Sequence, residues 1–212
     1  MARPSEHDKR RELAARAVAV LQRKGLEVSM TELADALEIK RPTLLYHFPT
    51  KAHIIEIALE ELLTEQIAYV SERVAPHTHP IDRLYAQLRA VHAFHQGQEG
   101  RVVFLTQAIA TTAGERLSHI IEIGNRVATA RREAAGKALR DGIAAGTVAP
   151  CDVDALLALV RAVTDGLMVQ RVMTAVDLAP VHQLLWESVL APLKREPKPQ
   201  PKHQSRSRDD HR

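Results

Sequence analysis

Between Lys40 and Lys51 the chain reads K-R-P-T-L-L-Y-H-F-P-T-K, a run whose polar members are nearly all hydrogen-bond donors. Their chemistry suits a phosphate-lined groove. Lys40 and Arg41 reach base edges, and an arginine held bidentate on guanine is the commonest sequence-specific contact. Thr43, Tyr46, His47 and Lys51 offer donors for phosphate oxygens, contacts that fix register without reading sequence. The helix start after Thr50 adds backbone N–H groups for a further phosphate. The same residues also fit a plain solvated helix end, because short helix pairs with tight turns occur in proteins that never touch DNA.

The surrounding residues dictate how these donors are held. Ser29 followed by Glu32 is a capping box, so a helix starts just after Ser29. Leu33, Ala34 and Leu37 form one apolar stripe at helical spacing. Ala34 is small and allows a second helix to cross closely, and Ile39 plugs the turn. Pro42 fits the first turn of the next helix, where its missing N–H breaks no bond. Leu44, Leu45 and Phe48 pack that helix down, which leaves Arg41, Thr43, Tyr46 and His47 pointing outward. Pro49 ends it and Thr50 caps the helix that follows. Two short helices with a basic second member are the layout of a helix-turn-helix.

At these residues the chain resembles the DNA-binding end of the TetR family of bacterial transcriptional regulators. The matching pieces are T-E-L-A at Thr31–Ala34, the turn through Glu38-Ile39, R-P-T-L at Arg41–Leu44, and H-F-P-T-K at His47–Lys51. The chain departs from the family pattern at two places. Glu38 stands where glycine is usual, so a side-chain-bearing residue must adopt positive φ at roughly 1–2 kcal/mol. Leu45 stands where a phosphate-binding tyrosine is usual, and the tyrosine comes one place later, at Tyr46. The resemblance implies DNA contacts from Thr31, Lys40, Arg41, Pro42, Thr43, Tyr46, His47 and Lys51.

Composition bounds the rest. In 212 residues, 45% hydrophobic and 3% aromatic, the core must be filled by aliphatic side chains and alanine. No convincing alternating strand appears, and the chain reads as all-α with about nine helices. Positive charge sits at the ends. Residues 1–51 carry 10 Lys+Arg against 7 Asp+Glu, residues 52–193 carry 12 against 16, and residues 194–212 carry 7 against 3. A basic head suits a polyanion and an acidic body keeps clear of it. Arg3, Lys9, Arg10 and Arg11 read as a basic arm before the first helix, either touching phosphates or merely solubilising. Cys151 is the single cysteine, read as an incidental thiol in a reducing cytosol. No signal peptide or membrane-spanning run is visible, so a cytoplasmic location and no membrane partner are expected.

The expected organisation is a three-helix DNA-binding domain over 1–51, a helical effector-binding and dimerisation domain over 52–193, and a basic, proline-rich disordered tail over 194–212. The first helix spans about Ser5 to Arg23, stopped by Gly25. The fourth spans about Lys51 to Val74 and, crossing the domain border, is a lever. Later helices cover about Ile81–His95, Val102–Thr112, Glu115–Ala145 and Asp152–Ala175, and a last one opens at Pro180. The helix after Asp152 is apolar almost all round and must be buried on several sides. With the last helix it forms the expected homodimer bundle, through Leu156, Leu159, Val163, Gly166, Leu185 and Val189, which is where the TetR family dimerises; burial within one subunit is the alternative. The resemblance also implies a small-molecule effector in a cavity between the middle helices. The candidate lining is Leu88, His92, His95, Phe104, Gln107, His119, Ile123, Arg126, Thr164, Met168 and Arg171, although buried polar groups usually have partners within the protein.

Eleven histidines invite a metal reading. His92 and His95, three apart on a helix, could face one ion, but nothing in sequence completes a three- or four-ligand site, and no metal is expected. No phosphate-cradling glycine loop, nucleophile elbow, two-histidine zinc helix or Cys-x-x-Cys is present, so neither an enzyme nor a cofactor is expected. The sequence thus points to a ligand-responsive repressor that binds a near-palindromic operator as a homodimer. The competing class is a helical small-molecule or metal sensor or carrier without gene control.

Overall fold

The computed structural model describes residues 5–111 and 115–195, without the side chains at 106, 109–111, 115–121, 123 and 127. Its α-helices are α1 (Glu6–Lys24), α2 (Met30–Ala36), α3 (Arg41–His47), α4 (Lys51–Val74), α5 (Pro80–Phe94), α6 (Glu99–Thr111), α7 (Glu115–Ala144), α8 (Val153–Thr174) and α9 (Ala179–Leu185). The chain is all-α, as its periodicity requires, with helices close to the expected bounds. The end of the last helix differs: it widens to a π-helical turn over Trp186–Leu190 and tightens to a 3-10 turn over Ala191–Leu193.

Local hydrogen bonding sets most helix starts. Ser5 and Asp8 form a capping box on α1, and Gly25 ends that helix at φ 93°. Ser29 Oγ accepts from the Glu32 N–H at 3.2 Å while Glu32 accepts from the Ser29 N–H at 2.8 Å. Thr50 caps α4 through the His53 N–H at 3.2 Å, and Asp152 caps α8 through the Ala155 N–H at 3.0 Å. His79 caps α5 with Nδ1, accepting from the Ile81 N–H at 3.2 Å, and donates from Nε2 to the Thr147 carbonyl at 3.0 Å.

Two hydrophobic clusters hold the helices together. The first joins α1 to α4 around Leu21, Leu33, Leu44, Phe48, Ile54 and Ile55, with Leu105 and Ala108 of α6 closing it. The second joins α5, α7, α8 and the last helix around Ile81, Leu88, Leu139, Leu157 and Leu190. Each such side chain, fully buried, contributes roughly 1.5–3 kcal/mol. α4 runs 24 residues, about 36 Å at 1.5 Å per residue. Its first half belongs to the first cluster, and its later residues leave it to flank the second.

Two expectations need correction. Lys9, Arg10 and Arg11 form no free arm, because they lie within α1. Arg10 donates to His53 Nε2 at 2.7 Å and lies 5.8 Å from the Phe48 ring, and Arg11 pairs with Glu61 of α4. Arg3 lies outside the described residues. The tail does not begin at Lys194: that residue bridges to Val148 and donates to Asp82 at 2.8 Å, and the Arg195 N–H bonds the Thr147 carbonyl at 2.9 Å. Residues 196–212 lie outside the described residues. Within this one subunit, α8 is buried along one side only. Val153, Leu156, Leu157, Val160, Thr164 and Leu167 are buried, but Leu159, Val169, Val172 and Met173 are exposed.

Candidate nucleic-acid interface and helical cavity

The turn between α2 and α3 places the basic donors. Glu38 takes φ 59°, the left-handed conformation its position demands, and the Ile39 N–H returns to the Ala34 carbonyl at 3.1 Å. Arg16 of α1 donates to the Leu37 carbonyl at 3.1 Å and so clamps the turn from beneath. Leu33, Ala34, Leu44 and Phe48 are fully buried under it. With that face fixed, Thr31, Lys40, Arg41, Pro42, Thr43 and Tyr46 are exposed, and His47 and Lys51 are half-buried.

Two of them have partners the sequence did not disclose. Tyr46, 74% exposed, donates its hydroxyl to Glu6 at 3.0 Å. That hydrogen bond and the carboxylate's charge raise the phenol's pKa. A phosphate at Tyr46 must displace Glu6. Lys51 donates to the Leu26 carbonyl at 2.5 Å, which ties the start of α4 to the loop after α1. An ammonium has three donors, so this bond leaves two.

Beyond the head, a cavity of about 920 Å³ lies between α4, α5, α7 and α8. Leu59, Leu63, Ile67, Leu84, Leu88, Val91, Leu157 and Val160 supply apolar wall, and Gln66, Gln87, Asn125, Thr129, Arg131 and Thr164 supply polar groups. Of the expected lining, Leu88 and Thr164 are in place. Phe104 packs on the first hydrophobic cluster instead, and Gln107 is exposed. Arg126 is a surface group, 63% exposed, paired with Glu122 at 3.6 Å. Arg171 pairs with Glu99 of α6 at 2.9 Å, a tie between helices. Met168 is half-buried and does not line the cavity. The side chains of His119 and Ile123 lie outside the described residues. The α4 and α7 walls were missed because their apolar residues repeat at the spacing of an ordinary core stripe, and their arginines at that of a solvated face.

His92 and His95 are buried but do not converge. His92 meets the Thr164 carbonyl at 2.9 Å and His182 of α9 at 2.8 Å. His95 meets Gln66 at 2.7 Å. Burial pushes His95 and His182 down to about 4 and lowers His92 as well. Among the described residues no three His, Cys, Asp or Glu gather as metal ligands. Cys151 is half-buried, its thiol pKa raised by burial and by Asp152, opposite to an activated thiolate. No helix among the described residues is long and apolar enough to cross a membrane.

The residues expected at a subunit interface divide into two groups. Leu156 and Leu185 are buried in this chain's own second cluster, and Val163 and Val189 pack against it. Leu159 and Gly166 are exposed, and a Cβ at Gly166 would meet nothing within 4 Å. Leu159, Val169, Val172 and Met173 of α8 and Leu184 of α9 thus leave an apolar surface uncovered.

Residues 13–57 match the family described as bacterial regulatory proteins, tetR family. Comparison with curated protein sequences finds no significant match. Among solved structures, the ketosteroid transcriptional regulator KstR2 of Mycobacterium tuberculosis is similar at TM-score 0.64 and 23% identity, over 89% of this chain and 96% of that one. A putative transcriptional regulator from Saccharomonospora viridis, in complex with choline, is similar at TM-score 0.71 and 18% identity, over 90% and 100%. AibR, in complex with isovaleryl coenzyme A and operator DNA, is similar at TM-score 0.62 and 17% identity, over 88% and 98%. At these identities the structural likeness speaks for the fold.

Proposed function

Because this chain belongs to the tetR family of bacterial regulatory proteins and is a DNA-binding transcriptional regulator, we propose that it is a homodimeric repressor released from its operator by a small-molecule effector. The observation that carries this reading is the path of α4. Ile54, Ile55 and Ala58 are locked into the core under the helix-turn-helix, and Leu63, Gln66 and Ile67 of the same helix line the cavity. A molecule filling the cavity presses on a rigid rod whose other end carries the head. Two-fold symmetry sets two α3 helices in successive major grooves, about 34–36 Å apart, on a near-palindromic site. Displacing α4 changes that separation, so effector and operator oppose each other, by ~1–3 kcal/mol in typical cases. The relatives solved with choline or isovaleryl coenzyme A support a small-molecule partner for such a fold. Binding to operators places the protein in the bacterial cytoplasm. In this reading the domains run over 1–51 and 52–193, meeting within α4.

The test is selection from a randomised duplex library by the purified protein at moderate salt, followed by sequencing. A recovered palindrome is the expected result, and recovery of random sequence refutes the reading. On the recovered operator, Arg41→Ala should weaken binding by roughly 1–3 kcal/mol and relax base preference at one position per half-site. An unchanged preference removes Arg41 from the reading role.

A further inference from the structure

The charged groups of the cavity are not evenly matched. Arg132 lies 3.6 Å from Asp154, and Arg161 pairs with Asp165 on its own helix. Arg131 has no such partner among the described residues. Its Nη2 is shut off from solvent and makes no hydrogen bond. The cavity wall as a whole is more apolar than polar. Ala128 and Ala135, three residues before and four after it on the same face of α7, are too small to fill the space beside the guanidinium. Burial lowers the pKa of Arg131. An arginine nonetheless keeps its charge in a protein, so it cannot escape desolvation by shedding a proton.

We infer that the effector is an amphipathic anion, an apolar body held by Leu59, Leu63, Leu88 and Val91 with one carboxylate or phosphate head neutralised by Arg131. The proposal rests on the reading of this cavity as an effector site. Arg131 is half-buried, with Nη2 wholly shut off, and a partly desolvated cation without a partner is unfavourable, which an anion relieves. The planar guanidinium accommodates two oxygens of one carboxylate or phosphate side by side. A neutral ligand leaves the charge unmet, and a cationic one adds a second. The volume, about 920 Å³, lies within the range that holds a molecule of drug or lipid-fragment size.

Four probes with one twelve-carbon chain separate the possibilities: dodecanoate, dodecyl phosphate, dodecanol and dodecyltrimethylammonium, each below its micelle concentration. Calorimetric titration of the full chain should show either anion binding at least tenfold tighter than the alcohol, with no detectable binding of the ammonium. The tighter of the two anions identifies the head group. Arg131→Gln should abolish the preference of anion over alcohol, and Arg131→Lys, which keeps the charge, should retain much of it. Melting curves of both variants without ligand report whether they fold. Equal affinity for dodecanoate and dodecanol, or a preference that survives Arg131→Gln, overturns the proposal. So does absence of binding by all four probes in a protein that still holds its operator, and that result leaves the repressor reading standing. Anion binding through Arg131 that leaves operator affinity unchanged upholds the anion site and refutes its role as effector site.

Discussion

His92 joins three helices through one ring. The Thr164 carbonyl at its Nε2 only accepts, so Nε2 carries the ring proton and Nδ1 is bare. Nδ1 must then accept from the Nε2–H of His182, which fixes both tautomers. A second proton on His92 would face that donor head-on. Because His95 and His182 are held down to about 4 and His92 is lowered as well, the unfolded chain takes up protons first as pH falls below its ordinary histidine range near 6.5. The stability from these neutral rings is present above about 6.5 and is lost as pH falls toward 4. Urea midpoints should therefore drop steadily from pH 7 to pH 4.5, and His182→Asn should flatten part of that slope. A slope identical in the variant would show that other groups set it. None of this was legible in the sequence, where His92 and His95 shared a helical face. Their spacing could not show that His182, 90 positions later, sits against one of them. Arg131 was hidden for a similar reason, since an Arg-Arg pair on a long amphipathic helix reads as solvated surface.

At the scale of elements, the helices were legible wherever short-range hydrogen bonding decides them. Ser29 with Glu32, Thr50 and Asp152 each cap the helix their spacing announces. Glu38 was legible too, through the glycine expected at its place, and it adopts φ 59°. A left-handed non-glycine residue costs roughly 1–2 kcal/mol, and glycine's greater unfolded-state entropy takes back roughly 0.4–1 kcal/mol. Glu38→Gly should therefore raise stability, by about 0.5–1 kcal/mol in chemical denaturation, with α3 unmoved. No gain would mean that Glu38 makes a compensating interaction in the turn. The π-helical turn after α9 was not legible, because packing around Trp186 and Leu190, on residues far away in the chain, shapes it.

At the scale of the whole molecule, the uncovered apolar surface of α8 and α9 is the feature a single chain leaves unresolved. Leu159, Val169, Val172, Met173 and Leu184 are all more than 40% exposed. Exposed apolar side chains gathered on two neighbouring helices suit an interaction site, and the proposed homodimer would cover them. The double substitution Leu159→Arg with Leu184→Arg should halve the mass seen by light scattering and leave helical circular dichroism intact. Operator affinity should then fall to that of one half-site. A dimer that persists would move the interface elsewhere.

Leu59 packs against the core of the head and also lines the cavity. Change at that one position is therefore judged twice, once for folding of the DNA-binding unit and once for ligand fit. Leu84, Leu88 and Val91 on α5, and Asn125, Ala128 and Thr129 on α7, line the cavity without joining the head's core. Under the proposed effector reading, a lineage adapting to a new inducer thus has its freedom on α5, α7 and the later part of α4. On α4 the double demand falls on Leu59, since Leu63, Gln66 and Ile67 also line the cavity outside the head's core.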